Sequence, residues 1–467
     1  MGFGWLHHLR AAGTPLAAAN ARALTEEWLG LCGRPTNVIA WRPEVAARRL
    51  LSWLSHSPLV LDAAELAFYR RFMRAIGRHT AWLSGPGRTA ARGETRLLVA
   101  IALAEAALCS NASEARRKKT TRLLVRELNR QIRLDGGHIG RNPRTLIDLS
   151  LDLLPLRQAY VARSIPVPPE LNNAIDRMMP MLRLFRHGDG ALGLFNGMSQ
   201  TPQDELSTVF AYDDARALPL MNAIATGYQR LEAAETCIIC DTGAPPPPEF
   251  STAAHAGALS FEMSSGAERI IVNCGAPQQD GPVRQAARLT AAHSTLVVAD
   301  TSSCRFAGTY GADAALDGCI ISGPRHVHAG RHDTNEWIAI AASHDGYVRT
   351  FGLVHERSLR LSLDGMRIEG VDVLKSAGRA ARNAVSFAIR FHLHPQMRAA
   401  IIENGQGALI VTPNGRQWIF HATGRPVAIE ESAFFASPEG TRATTQIVVP
   451  GQSADGARVE WVLMRRD

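Results

Sequence analysis

The sequence predicts an α+β multidomain chain, with a helical region over residues 1–222 and an antiparallel β-sandwich over residues 223–467. Three observations carry this reading. Apolar residues recur at spacings of three and four through roughly the first 220 residues, as in helices that bury one face. The period changes between Ala225 and Glu232. From Leu259 onward, short apolar runs and turn signals alternate every 8 to 15 residues, the rhythm of a large antiparallel sandwich.

Helices are expected over Pro43–Leu54, Ala64–Leu83, Glu94–Cys109, Ala112–Arg130, Arg144–Ala162 and Pro169–Arg186, with short connectors. Such a series packs as hairpins into an α/α toroid or solenoid, or as an irregular bundle, and without a clean repeat period the spacing does not choose between them. In the second region Gly227–Glu232 alternates, and Thr236–Asp241 is a short apolar strand. The rigid turn Gly243-Ala-Pro-Pro-Pro-Pro248 follows. Asp364-Gly365, between Leu359–Leu363 and Met366–Ile368, signals a hairpin, because tight hairpin turns need positive φ and these residues supply it at low cost. Asn414-Gly415 lies likewise between Ala408–Val411 and Gln417–Phe420, and Val385–Leu393, Gln446–Val449 and Val459–Met464 continue the strands.

Hydrophobic residues at 46% and charged residues at 20% are ordinary for a globular protein. The net charge is +8, and nearly all the positive charge is arginine, since lysine occurs only at Lys118, Lys119 and Lys375. A guanidinium grips carboxylates and sulfates at two points, so the surface suits an acidic polymer; a general bias toward Ala and Arg is the plain alternative. No recognised nucleic-acid motif occurs, and basic and aromatic residues are not interleaved, so nucleic acid is not the expected partner. No apolar run approaches the roughly 18 residues of a membrane span, and Leu97–Cys109, which contains Glu105, reads as a buried helix. The first residues, MGFGWLHHLRAAG, lack the charged and apolar regions of a secretory signal. Cys237 and Cys240 form a CxxC inside an apolar run with no second pair, which reads as strand cysteines rather than a zinc or redox site.

Four segments, taken in order, resemble the heparinase II/III-like family: Asp135-Gly-Gly-His-Ile-Gly-Arg-Asn-Pro143; His255-Ala-Gly-Ala-Leu-Ser-Phe-Glu262 with Arg269–Gly275; Ala291-Ala-His-Ser-Thr-Leu-Val-Val298; and His344-Asp-Gly-Tyr347 with His355-Glu-Arg357. The resemblance covers nearly the whole chain. It implies an incomplete α/α toroid before the sandwich, an acidic polysaccharide as partner, and a periplasmic or cell-envelope location; the missing signal segment leaves the cytoplasm open. It also implies β-elimination on a uronate-containing glycan such as a glycosaminoglycan or alginate-like polymer. That chemistry needs a group that neutralises the carboxylate, a base for the neighbouring C–H, and an acid for the leaving oxygen.

The sequence departs from the family pattern at each catalytic position. The strand histidine is Ala253, the tyrosine after the Asp-Gly motif falls near Arg144, and the upstream asparagine falls near Gly93 or Glu94. A substitute set is expected instead. Arg141 would neutralise the carboxylate, His138 would take the proton, and His293 or Tyr347 would serve the leaving oxygen. By the resemblance, His138 and Arg141 would face the same groove as His255 and His293. The plain reading of the same turn is that Asp135 and Asn142 cap and shape it. The family's metal ligands map onto His255, Asn273 and His293. An amide is a poor zinc ligand, so any zinc would be weakly held, and the alternative is two histidines satisfied by hydrogen bonds. Two functions therefore stand: a lyase with an altered residue set, or a catalytically degenerate relative that binds an acidic envelope polysaccharide without cleaving it.

Overall fold

The computed structural model describes residues 1–35, 39–213, 217–278, 281–308, 316–378, 384–453 and 457–466. Helices run to Ala211 and strands begin at Asn222, where the period change predicts the break. The compact units divide the chain differently: one comprises Met1–Ile132 and Leu151–Ile175, the other Arg133–Ser150 and Asp176–Asp467.

The first unit contains α1 (Leu6–Ala12), α2 (Pro15–Cys32), α3 (Pro43–Ser55), α4 (Ser57–Leu61), α5 (Leu66–Ser84), α6 (Pro86–Ala90), α7 (Thr95–Cys109) and α8 (Glu114–Gln131). Thr14 caps α2 and Ser113 caps α8, each accepting a backbone N–H of the first turn. As Glu105 suggests, α7 is buried nearly all round. Burial, reinforced by Asp152, pushes the Glu105 carboxyl up to about 7. Arg49, fully buried, donates to His79 Nε2 (2.9 Å), Ala40 O (2.8 Å) and Met1 O (3.1 Å) and lies 4.1 Å from the Trp28 ring centre. A buried cation needs this many partners, because its lost hydration must be replaced group by group.

The second unit is built on two large antiparallel sheets. One runs in the order 222–223, 228–233, 236–241, 261–265, 268–272, 386–393, 442–452 and 428–434, with 296–298 paired to 386–393. The other runs 398–402, 407–411, 417–422, 458–466, 367–376, 353–362, 337–344 and 327–333. Phe261, Phe391, Phe420, Trp461, Leu361 and Ile389 belong to one buried cluster drawn from both sheets. Both expected hairpins form: Leu361 pairs with Ile368 around Asp364-Gly365, and Val411 with Gln417 around Asn414-Gly415. Gly365 and Gly415 adopt φ of 71° and 81°, as such turns require. The Asp135 turn belongs to this unit, and its side chains bond to the loops that flank the first strands and to the end of Thr236–Asp241.

Candidate functional site

The Asp135–Pro143 segment is a tight turn leading into the helix Pro143–Ala162 (α9). Asp135 accepts from the Thr226 backbone N–H (2.7 Å), the Thr226 hydroxyl (2.5 Å) and the Gly137 N–H (3.1 Å). A Cβ on Gly137 would lie 2.0 Å from Thr226 Oγ1, so only glycine allows this approach. Asn142 accepts from the Arg144 N–H (2.9 Å) at the start of α9. Both residues therefore shape the turn.

Arg141 does not stand free at an open groove. It sits at φ 62°, in left-handed backbone that a non-glycine residue occupies only when its surroundings hold it there. Its guanidinium donates to Thr226 O (2.8 Å), Gly243 O (3.2 Å), Ala244 O (3.1 Å), Gly227 O (3.0 Å) and Asp241 Oδ1 (2.5 Å). Those bonds use the guanidinium's full donor capacity. Tyr228 lies beneath it, 4.7 Å from Cζ to ring centre, and donates to Arg141 O (2.8 Å). His138 and Arg141 do border a cavity of about 320 Å³ with Thr226, Gly243 and Pro246. His138 is nonetheless buried, and its Nδ1 accepts from the Gly140 N–H (3.0 Å). Burial, aided by Arg133, lowers its pKa to about 3, so the ring is neutral and its one lone pair is already engaged.

A chain of bonds leads from Arg141 to the two expected metal histidines. Asn196, itself at φ 48°, donates to Asp241 Oδ2 (3.3 Å) and Tyr228 Oη (2.7 Å) and accepts from the His255 N–H (3.1 Å). His255 Nδ1 and His293 Nε2 are 3.1 Å apart. His293 Nδ1 donates to Leu289 O (2.8 Å), which leaves its Nε2 as acceptor and makes His255 Nδ1 the donor. Burial holds both imidazoles neutral, His293 at about 4 and His255 well below the ordinary histidine value. Gly257 leaves room for this pair, since its Cβ would lie 2.8 Å from the His293 ring.

Asn273, the third expected ligand, is engaged elsewhere. Its Oδ1 accepts from the Ser294 N–H (3.0 Å), its own N–H donates to Glu262 Oε1 (2.9 Å), and its buried Nδ2 has no partner among the described residues. The donor set does not fit a resident zinc. Two imidazoles bond each other, the amide oxygen is taken, and no carboxylate or thiolate among the described residues completes a tetrahedron. Among the described residues, no group of three or more His, Cys, Asp or Glu is placed to hold a metal.

Glu262, which closes the first stretch of the second motif, also accepts from the Leu194 N–H (3.1 Å) and from His187 Nε2 (3.1 Å). Tyr347 is buried. Its hydroxyl donates to Leu296 O (3.0 Å), and burial raises its pKa above the ordinary phenol value, which ties it to packing rather than proton transfer. The rest of the fourth motif forms its own network. Asp372 accepts from His355 Nε2 (2.7 Å), Arg357 Nε (2.8 Å) and Trp461 Nε1 (2.9 Å). Burial alone would raise the Asp372 pKa, but Arg357 and His355 outweigh it and hold the carboxylate ionised. Arg357 further donates to Ser294 O (2.8 Å), next to His293.

Asp241, Asn196, Tyr228 and Asp372 carry these networks and were not among the expected site residues. One signal was present: Asp241 ends the apolar run Thr-Cys-Ile-Ile-Cys, and a charge closing a buried strand needs a partner.

Helical hairpins before an antiparallel sandwich place the chain in the polysaccharide-lyase class of fold. It superposes on heparan sulfate lyase HepC from Pedobacter heparinus with a TM-score of 0.70 and 14% identity, covering 100% of this chain and 76% of that one. Chondroitin AC lyase from Streptomyces coelicolor, solved with chondroitin sulphate, gives 0.57 and 12% identity over 99% of this chain and 74% of that one. At such identities the likeness concerns the fold alone. The sequence matches the family described as Heparinase II/III-like, C-terminal, over residues 215–462, and the chain belongs to this family. A curated relative, FtsZ-localized protein C from Caulobacter vibrioides, is 32% identical over 481 aligned residues, covering 100% of this chain and 81% of that protein.

Proposed function

We propose that this chain is a heparinase II/III-like protein that binds an acidic glycan without cleaving it. The observation that carries the reading is the commitment of Arg141 and His138. The cation expected to neutralise a carboxylate spends its donors on Asp241 and four carbonyls, and the expected base has its lone pair on Gly140. Ala253 stands where the resemblance puts the strand histidine, and Gly197 packs so closely that its added Cβ would lie 3.1 Å from the Ala253 Cβ. The arginine excess and the glycan named with one structural relative support an acidic glycan as ligand. The test is a panel of uronate polymers, read for unsaturated product by ultraviolet absorbance and for binding by retention on immobilised glycan. The reading requires retention without product.

A second reading rests on the full-length relative named for its localisation with FtsZ. In it, the chain associates with FtsZ, and co-sedimentation with FtsZ polymers tests it directly. The two readings also differ in place, because the glycan reading puts the chain at the cell envelope; fractionation distinguishes them.

A further inference from the structure

The helix α8 carries the densest positive charge in the first unit. Its sequence, EARRKKTTRLLVRELNRQ, holds seven Arg or Lys residues against Glu114 and Glu127, and two of the chain's three lysines. Arg116, Lys119, Arg122 and Arg126 line a groove of about 750 Å³ whose other wall includes Arg88. Among the described residues, no acidic side chain lines it. Lys118 pairs with Glu114, and Arg126 lies 3.4 Å from Glu127. Arg88, Arg116, Lys119 and Arg122 form no ion pair among the described residues, and all four are exposed.

Four unneutralised cations around one recess repel one another, at a cost that an anionic ligand removes. From Arg116 to Arg126 the helix advances about 15 Å, so a linear polymer with regularly spaced charges meets several cations in turn. We propose that this α8 groove is a binding site for an acidic polysaccharide. The inference deepens the proposed function and rests on it, since it locates the glycan that the chain is held to bind. A single-stranded nucleic acid fits less well, because among the described residues no aromatic side chain lines the groove to stack on a base. Duplex DNA and an acidic peptide are the other polyanions, and the test includes both.

The experiment uses the full chain and measures binding to polygalacturonate and heparin, with polyglutamate and double-stranded DNA as comparison polyanions. The variant is Arg116→Gln, Lys119→Gln, Arg122→Gln together. A control variant, Arg349→Gln, Arg398→Gln, Arg442→Gln, removes the same charge from exposed positions in the second unit. Unchanged thermal melting shows that both variants fold. The proposal expects the α8 variant to lose on the order of tenfold in glycan affinity, as three lost surface ion pairs would give. The control variant should retain wild-type affinity. If the wild type binds the glycans and the two variants weaken equally, the α8 assignment is overturned while the glycan-binding reading survives. Tighter binding of polyglutamate or DNA than of either glycan overturns the ligand class. If the wild type binds no glycan, the glycan-binding reading itself fails and the site assignment with it.

Discussion

Arg141 and Asp241, 100 residues apart in sequence, form a 2.5 Å ion pair with side chains only 6% and 3% exposed. The pair fastens the turn before α9 to the end of the strand Thr236–Asp241. Breaking one partner leaves the other charge buried, which typically costs about 3–5 kcal/mol. Arg141→Ala and Asp241→Asn should each lower the urea midpoint of unfolding by a corresponding amount. Arg141→Lys should recover little, because an ammonium does not reproduce a planar fork with five N–H groups. A wild-type midpoint for Arg141→Ala would show that the pair is not structural.

Gly243 passes close against that guanidinium. A Cβ there would lie 2.4 Å from Arg141 Nη2 and 2.9 Å from Thr226 O. Gly243→Ala should therefore destabilise the chain by about 1–3 kcal/mol, the usual range for overpacking a tight site. Gly330→Ala is the matched control, since nothing lies within 4 Å of its added Cβ. Equal melting temperatures for the two variants would count against the packing described around Arg141.

Several histidines are buried as neutral rings, and this fixes a direction for pH. In the unfolded chain each takes a proton near pH 6.5, whereas in the folded chain burial delays protonation to about 4 for His293 and about 3 for His138 and His392. Between those values the unfolded state holds more protons, so stability increases with pH and falls on acidification. Glu105, raised from 4.5 to about 7, acts in the opposite sense but is one group against three, so melting temperature should be level above about pH 8 and decline from about pH 6.5 toward pH 4. A level profile down to pH 4 would mean that these rings are charged or open to solvent.

Zinc offers a separate check on the His255–His293 pair. Added zinc should leave the wild-type melting temperature unchanged, because the imidazoles bond each other and Asn273 is engaged with Ser294. Asn273→Asp supplies an anionic ligand and should make the chain respond to zinc with a higher melting temperature. A zinc response in the wild type equal to that of the variant would show that the amide suffices.

The fold was legible because its signals are local. The period change before Asp241 and the Asp364-Gly365 and Asn414-Gly415 turns each occupy a few adjacent residues, and the structure places strands and hairpins there. The order of the four motifs likewise placed His255 and His293 in one site, where their ring nitrogens meet. The roles of Arg141 and His138 were not legible in the same way. A buried arginine with spent donors and an exposed arginine awaiting an anion are the same letter, and only distant partners, Asp241 and the carbonyls of Thr226 and Gly243 among them, distinguish the two. The division into compact units was hidden for the same reason. Residues 133–150 read as part of the helical series, yet Asp135 and Arg141 bind Thr226 and Asp241 across about ninety to a hundred positions.

The central claim, a heparinase II/III-like chain that binds an acidic glycan but does not cleave it, is tested most directly by incubating the wild type with polygalacturonate, alginate and heparin. Product is followed by ultraviolet absorbance, and binding is measured on the same polymers in immobilised form. The account predicts retention on at least one of them with no rise in absorbance on any. A rise in absorbance abolished by His138→Ala would contradict it, because it would make His138 the working base that its bond to Gly140 argues against.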